Sequence, residues 1–314
     1  MKPWMIVAIC LIVAGALICI IGLYSINFDF SNMNTSKTVS NTHNVTEDFN
    51  SIDVNTIECN ISIVPGDHCQ VVTQEREKQP IAVDVSDGTL TIRQNDQRKW
   101  YDHIGIFWTE QKVTLYLPQA EYNKLSVNTT TGIIRIGEEY TFTDVSLTTT
   151  TGKIWCSNNV TETYVVSATT GDISLEKADP ENLSVSCTTG KINLSNMVVT
   201  NGLNAATTTG DMTLSNCTAG TINAEGTTGK LTFTDTVAAG QLKAETSTGD
   251  IMLTNCDAST LDLESSTGAI TATLLTEKVV FAESGTGKIN VPKSTTGGAC
   301  TIETSTGNIT VKFA

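Results

Sequence analysis

The chain has 314 residues, 39% of them hydrophobic but only 6% aromatic, and a formal net charge of −14. Such a length and apolar fraction support a real core, which must be built from small aliphatics. With 19 Lys and Arg against 33 Asp and Glu, the chain lacks the clustered cations that a phosphate backbone requires, so no nucleic-acid partner is expected.

Trp4 to Tyr24 carries no charged residue, and at about 1.5 Å per residue it can cross a hydrocarbon core of roughly 30 Å. Residues 1–24 are therefore expected to be a short cytoplasmic start and a transmembrane helix. Lys2 before it and Asp29 after it place the N-terminus in the cytoplasm and the C-terminal domain outside the cell membrane, in a single-pass protein. A cleaved signal peptide is the rival reading, but the stretch exceeds a usual h-region and no A-x-A site follows it. Cys10 and Cys19 each follow Ile, unlike an acylation signal, and read as apolar helix residues.

Residues 25–48, rich in Asn, Ser and Thr, read as a flexible spacer. In 49–124 short alternating runs such as Asn60–Val64, Thr89–Arg93 and Val113–Leu117 predict an N-terminal β cap and the first coils. Within it, Trp100, Tyr101, Phe107 and Trp108 fall in ten residues. They are candidate ligand-binding residues, as a sugar or partner platform; the competing expectation is that these rings close the open end of the stack that follows.

From 125 to 314 a Thr-Gly pair recurs, with glycines at 132, 152, 171, 190, 210, 229, 249, 268, 287 and 307. A spacing of 19 or 20 residues held over ten copies marks a repeat architecture. Two residues after each glycine the chain is always apolar, from Ile134 to Ile309, and the positions four after, five before and seven before are apolar in nearly every copy. Inward residues two apart on both sides of the corner give two short strands per unit, with no room for a helix. The fold class expected is all-β: a single-stranded parallel β-solenoid, or β-helix, of about ten coils behind an N-terminal transmembrane helix. The Thr before each glycine is expected to pair its hydroxyl with its stacked neighbours or with the turn backbone.

Just after the glycine the sequence reads Lys153, Asp172, Lys191, Asp211, Lys230, Asp250. Stacked one coil apart, these predict a ladder of exposed ion pairs that specifies register rather than binding, since each contributes only about 0–1 kcal/mol. Four before the glycine stand Glu225, Glu245, Glu264, Glu283 and Glu303, a column that could be a divalent-cation stripe but is read as a solvated face, because one carboxylate per coil does not complete a coordination shell. Seven cysteines outside the helix form no CxxC pair, and Cys156, Cys187 and Cys300 fall in apolar columns as small hydrophobes. No metal and no cofactor are expected.

Catalysis is not expected either. His43, His68 and His103 all precede the repeats, and Arg135 is the only arginine after Arg98, so the acid–base groups of a polysaccharide-active β-helix enzyme are missing.

The recurrent Thr-Thr-Gly-x-Ile units, the run Asp87–Ile92, Val113–Pro118 and the closing Thr304–Thr310 resemble the adhesin-like family of bacterial β-strand repeat proteins labelled DUF4097, over about 49–314. The resemblance implies a surface or membrane-attached protein with no inherited catalytic residues. No LPxTG-type sorting signal is present, so the N-terminal helix is expected to hold the protein. The function expected is a membrane-anchored, extracytoplasmic interaction module of the cell envelope, whose partner is an envelope polymer or surface protein. A structural or signalling component of an envelope-stress response is the alternative, and a polysaccharide-active enzyme comes third.

Overall fold

The computed structural model describes residues 3–25, 37–100 and 109–314. Pro3–Ser25 is one α-helix of 23 residues with no buried side chain. Among the described residues the rest of the regular structure is almost all strand, arranged as a β-solenoid of about ten turns.

Each repeat supplies a long strand, a Thr-Gly corner and a short strand, as in Thr218–Thr228 followed by Leu231–Thr234. Long strands stack in parallel register into one sheet, where Ile222 pairs with Leu203 and Leu242. Short strands stack into a second, where Phe233 pairs with Leu214 and Leu253. Period-2 alternation sends one aliphatic column of each strand between the sheets. The result is a single continuous core from Ile52 to Val311.

The corner is where backbones approach most closely. The Gly229 N–H donates to the Thr248 carbonyl of the next turn at 2.9 Å, and a Cβ on Gly229, which sits at φ +143°, would strike the carbonyl oxygen of Gly210 behind it. The hydroxyls that bond this corner are not those of the Thr before the glycine, which face solvent. They belong to the residue three before it, which alternation turns inward: Ser265 Oγ donates to the Gly249 carbonyl at 2.9 Å and Thr304 Oγ1 to that of Gly268 at 3.1 Å. A second corner, six residues after the glycine, uses Asn and Asp in the left-handed region, with Asn196, Asn216, Asp235 and Asn255 at φ 49° to 55°. Asn216 Nδ2 donates to Asn196 Oδ1 at 3.3 Å, and Asn255 Nδ2 to Asp235 Oδ1 at 3.2 Å.

The ion-pair ladder forms in part, with Lys153 Nζ 2.9 Å from Asp172 and Lys191 Nζ 3.6 Å from Asp211. Each acid does more than pair. Asp172 accepts the Lys191 amide and Asp211 the Lys230 amide, both at 3.1 Å, so alternate turns cap a corner N–H of the next. The hydrogen bond from Lys153 and the amide of Lys191 hold the Asp172 carboxyl below its usual value. All seven cysteines outside the helix are free and buried. Burial pushes the Cys59, Cys156 and Cys300 thiols up to about 12, which leaves them inert at neutral pH.

Turn order departs from sequence order at both ends. The first turn, Ser51–Thr56 with Cys59–Pro65, lies between the third, Glu121–Thr131 with Ile134–Ile136, and the second, Thr89–Gln94 with Gln111–Leu117. At the other end Ala299–Thr306 and Ile309–Phe313 slot between Ile251–Thr267 with Ile270–Leu274 and the outermost Val279–Thr286 with Ile289–Asn290. Gly297, at φ +90°, lets the returning chain lie against the Glu277 carbonyl. Ile289, inward by pattern, is 45% exposed because it stands in that outermost turn.

The second half of the expected spacer is not free chain. Thr38–Asn44 is a strand paired antiparallel with Gln70–Arg76, which itself runs antiparallel to Gln111–Leu117. Its polar composition hides it because it is an edge strand largely exposed on both faces, tied by Asn41 Nδ2 to Glu75 Oε1 at 2.7 Å. With Ile81–Ser86, antiparallel on Thr89–Gln94, it closes the N-terminal end. Beneath lies a polar network in which Gln94 Nε2 donates to Gln111 Oε1 at 2.9 Å and Gln111 Nε2 to Gln79 Oε1 at 3.0 Å. Burial would raise the Glu58 carboxyl there, but Arg76 and Arg98 outweigh it and hold the group low.

Two outcomes follow from the corner and the interleaved end. Gly229→Ala should lower the unfolding free energy by about 2–4 kcal/mol in urea melts, while Gly202→Ala, where a Cβ meets nothing nearer than 3.7 Å, should change it little. Deleting 299–314 should expose 275–298 to limited proteolysis, since the turn at 279–290 rests only on the deleted one. A sequentially stacked rod would keep 275–298 protected.

Candidate functional site

Where the long strand bends into the Thr-Gly corner, the outward residues four and two before the glycine form the walls of a trough that runs along the stack. Its main cavity is about 580 Å³, lined from Ser167 and Thr169 through Ser186, Thr188 and Thr208 to Glu225, Glu245 and Glu264. A smaller cavity of about 220 Å³ continues it past Glu264, Glu303 and Glu283. The trough is hydroxyl-lined at one end and carboxylate-lined at the other, because one column changes from Ser to Glu along the repeats.

The five glutamates form an unbroken in-register ladder. Their order is not that of the sequence. The interleaved last turn makes it Glu225, Glu245, Glu264, Glu303, Glu283, so Glu303 and not Glu283 stands beside Glu264. Two have partners: Lys243 Nζ lies 2.7 Å from Glu245 Oε1, and Asn223 Nδ2 donates to Glu225 Oε1 at 2.9 Å. No ion pair among the described residues reaches Glu264, Glu303 or Glu283. Carboxylates about 4.8 Å apart repel, so this end attracts donors: hydroxyl, amide or ammonium groups. Among the described residues no group of three His, Cys, Asp or Glu is arranged to hold a metal ion.

Of the aromatic candidates, Trp100 is 77% exposed, and Tyr101, Phe107 and Trp108 lie outside the described residues. The trough's serine and threonine walls were not singled out from sequence as a site; the signal was the Thr or Ser two before nearly every glycine.

Glu264→Gln combined with Glu303→Gln should raise the melting temperature at low ionic strength, by about 0.5–1 kcal/mol of relieved repulsion, and the gain should fade at high salt. Millimolar calcium should leave the wild-type melting temperature unchanged. A large calcium-dependent rise that the double variant abolishes would make the ladder a cation site instead.

No curated protein matches the chain in sequence. Among solved structures, a candidate adhesin from Bacteroides fragilis is 16% identical over 88% of this chain and 97% of its own, with a TM-score of 0.37. A candidate lipid-binding protein from Parabacteroides distasonis is 13% identical over 89% and 98%, with a TM-score of 0.35. A candidate adhesin from Parabacteroides merdae is 14% identical over 72% and 97%, at 0.27. The family model described as Toastrack DUF4097 matches residues 49–216 and 198–314, the whole solenoid. The chain belongs to the Toastrack DUF4097 family.

Proposed function

We propose that this protein is a membrane-anchored, extracytoplasmic interaction module of adhesin type in the bacterial cell envelope, with no catalytic role. The helix Pro3–Ser25 carries the reading: it is long and apolar enough to cross a membrane, and none of its side chains is buried in protein. A soluble domain would cover such a helix, whereas a bilayer covers it at no cost in exposed apolar surface. Connectivity then tethers the N-terminal end of the rod near the membrane, and about 55 Å of stacked turns carry the opposite end away from it.

The rod suits binding better than turnover. Its trough is open and polar, and its acids stand in a row without a histidine or arginine beside them, which leaves carboxylates able to accept hydrogen bonds but poorly placed for paired acid and base work. Contacts along the trough, and from the segment that holds Trp100, Tyr101, Phe107 and Trp108, would engage an envelope polymer or a surface protein.

Antibodies against the solenoid should label intact cells that make the full chain, and the protein should stay in the membrane fraction through an alkaline carbonate wash. Detergent-solubilised full-length protein should then capture envelope material. Labelling only after permeabilisation, or release by the wash, would overturn the placement; capture of nothing would shift the reading to a structural or signalling component.

A further inference from the structure

On the outward face of the short-strand sheet, the residue three after each glycine is mostly short and polar, as in Ser174, Asn193, Thr213 and Thr232. Three positions break this column, Arg135, Trp155 and Met252, and the first two are neighbours. Arg135 and Trp155 stand there as in-register neighbours on adjacent strands, with the Arg135 guanidinium 5.8 Å over the indole. Trp155 is 56% exposed. Pointing away from the core, its ring contributes nothing to the packing between the sheets, and leaving so large an apolar surface in water is unfavourable.

Next to the pair lies a cavity of about 420 Å³, separate from the trough. Gly137, one residue beyond Ile136, which pairs with Ile63 and Cys156, is among the residues that line it. Val64, Pro65, Trp155, Arg135 and Glu139 also line it. Neither Arg135 nor Glu139 makes an ion pair among the described residues.

We propose that this cavity binds a pyranose unit of a neutral glycan. The proposal rests on the adhesin-type reading above and names the ligand class for it. The indole supplies a flat apolar wall for the C–H face of a sugar ring. A guanidinium only donates hydrogen bonds and a carboxylate only accepts them. A ligand charged in either sense would satisfy one and repel the other, whereas hydroxyls both donate and accept and satisfy both. Ser62 and Ser157 add hydroxyls of their own. The lining is mixed, with Ile63, Val64, Pro65 and Ile136 adding apolar surface to that of the indole. The volume lies within the range of small-ligand pockets, about 300–1,000 Å³.

The test uses the full chain in lipid nanodiscs and calorimetric titration with neutral tetrasaccharides of glucose, galactose, mannose and N-acetylglucosamine, beside an acidic tetrasaccharide and a mixed peptide pool. At least one neutral tetrasaccharide should bind. Trp155→Ala should weaken it more than about tenfold, Trp155→Phe less, and Glu139→Gln severalfold, all with unchanged melting temperatures. The proposal is overturned if no neutral tetrasaccharide binds, if Trp155→Ala binds as well as wild type, or if only the peptides or the acidic sugar bind. Undiminished capture of envelope material by Trp155→Ala would sink the sugar site yet leave the adhesin-type reading standing. Capture of nothing by the wild type would bring down both.

Discussion

The stack of glycine backbones at the Thr-Gly corner is the constraint on which the rest of the rod depends. Every corner glycine except Gly287 in the outermost turn sends its N–H to the Thr carbonyl of the adjoining turn, and from Gly152 onward a Cβ on each would fall on the carbonyl of a neighbouring glycine. With that contact fixed, the residues before and after it can only alternate in and out, so the same offsets are inward in every turn. Most hydroxyls three before the glycine donate to carbonyls that this close approach buries, as at Thr149, Thr246, Ser265, Ser284 and Thr304, while the Thr207 hydroxyl has no such partner. Cys187, whose Sγ lies 3.2 Å from the Gly171 carbonyl, shows that even a weak donor serves there.

Because the corner fixes each turn against the next, the period of 19 or 20 residues was visible in the sequence, and with it the fold and the buried columns. Less was legible where the chain leaves the period or where the cause is local. Turn order at the ends could not be read, since Gly268, Gly287 and Gly307 keep the usual spacing whichever of the last two turns lies inside. The edge strand Thr38–Asn44 carries almost no apolar residue because it buries almost nothing. The second corner left a trace in the Asn and Asp of Asn196, Asn216, Asp235 and Asn255, but left-handed turn residues are also what any loop contains.

The binding surfaces were legible to a different degree. A column is a one-dimensional object, so the glutamates could be read as a row, although the interleaved last turn changes which of them are neighbours. The trough needs the bend of the long strand as well as the columns that flank it. The cavity beside Trp155 needs still more: it arises from Gly137 in one turn, Val64 and Pro65 from a turn some seventy residues earlier in the chain, and a tryptophan in the next. No periodicity carries that information, because it is made by departures from the repeat.

Those departures mark where function can be placed at little cost to stability. Inward positions answer to the core and the corner, and the positive-φ positions answer to backbone sterics, so neither is free to vary. Outward positions answer to solvent and to their immediate ladder neighbours, where a pair is worth about 1 kcal/mol or less. The alternating Lys and Asp use that freedom to hold register. The drift from Ser to Glu along the trough and the substitution of Trp155 and Arg135 into a column of small polar side chains serve neither packing nor register. A solenoid built in this way separates the residues that make it a rod from those that give the rod something to hold.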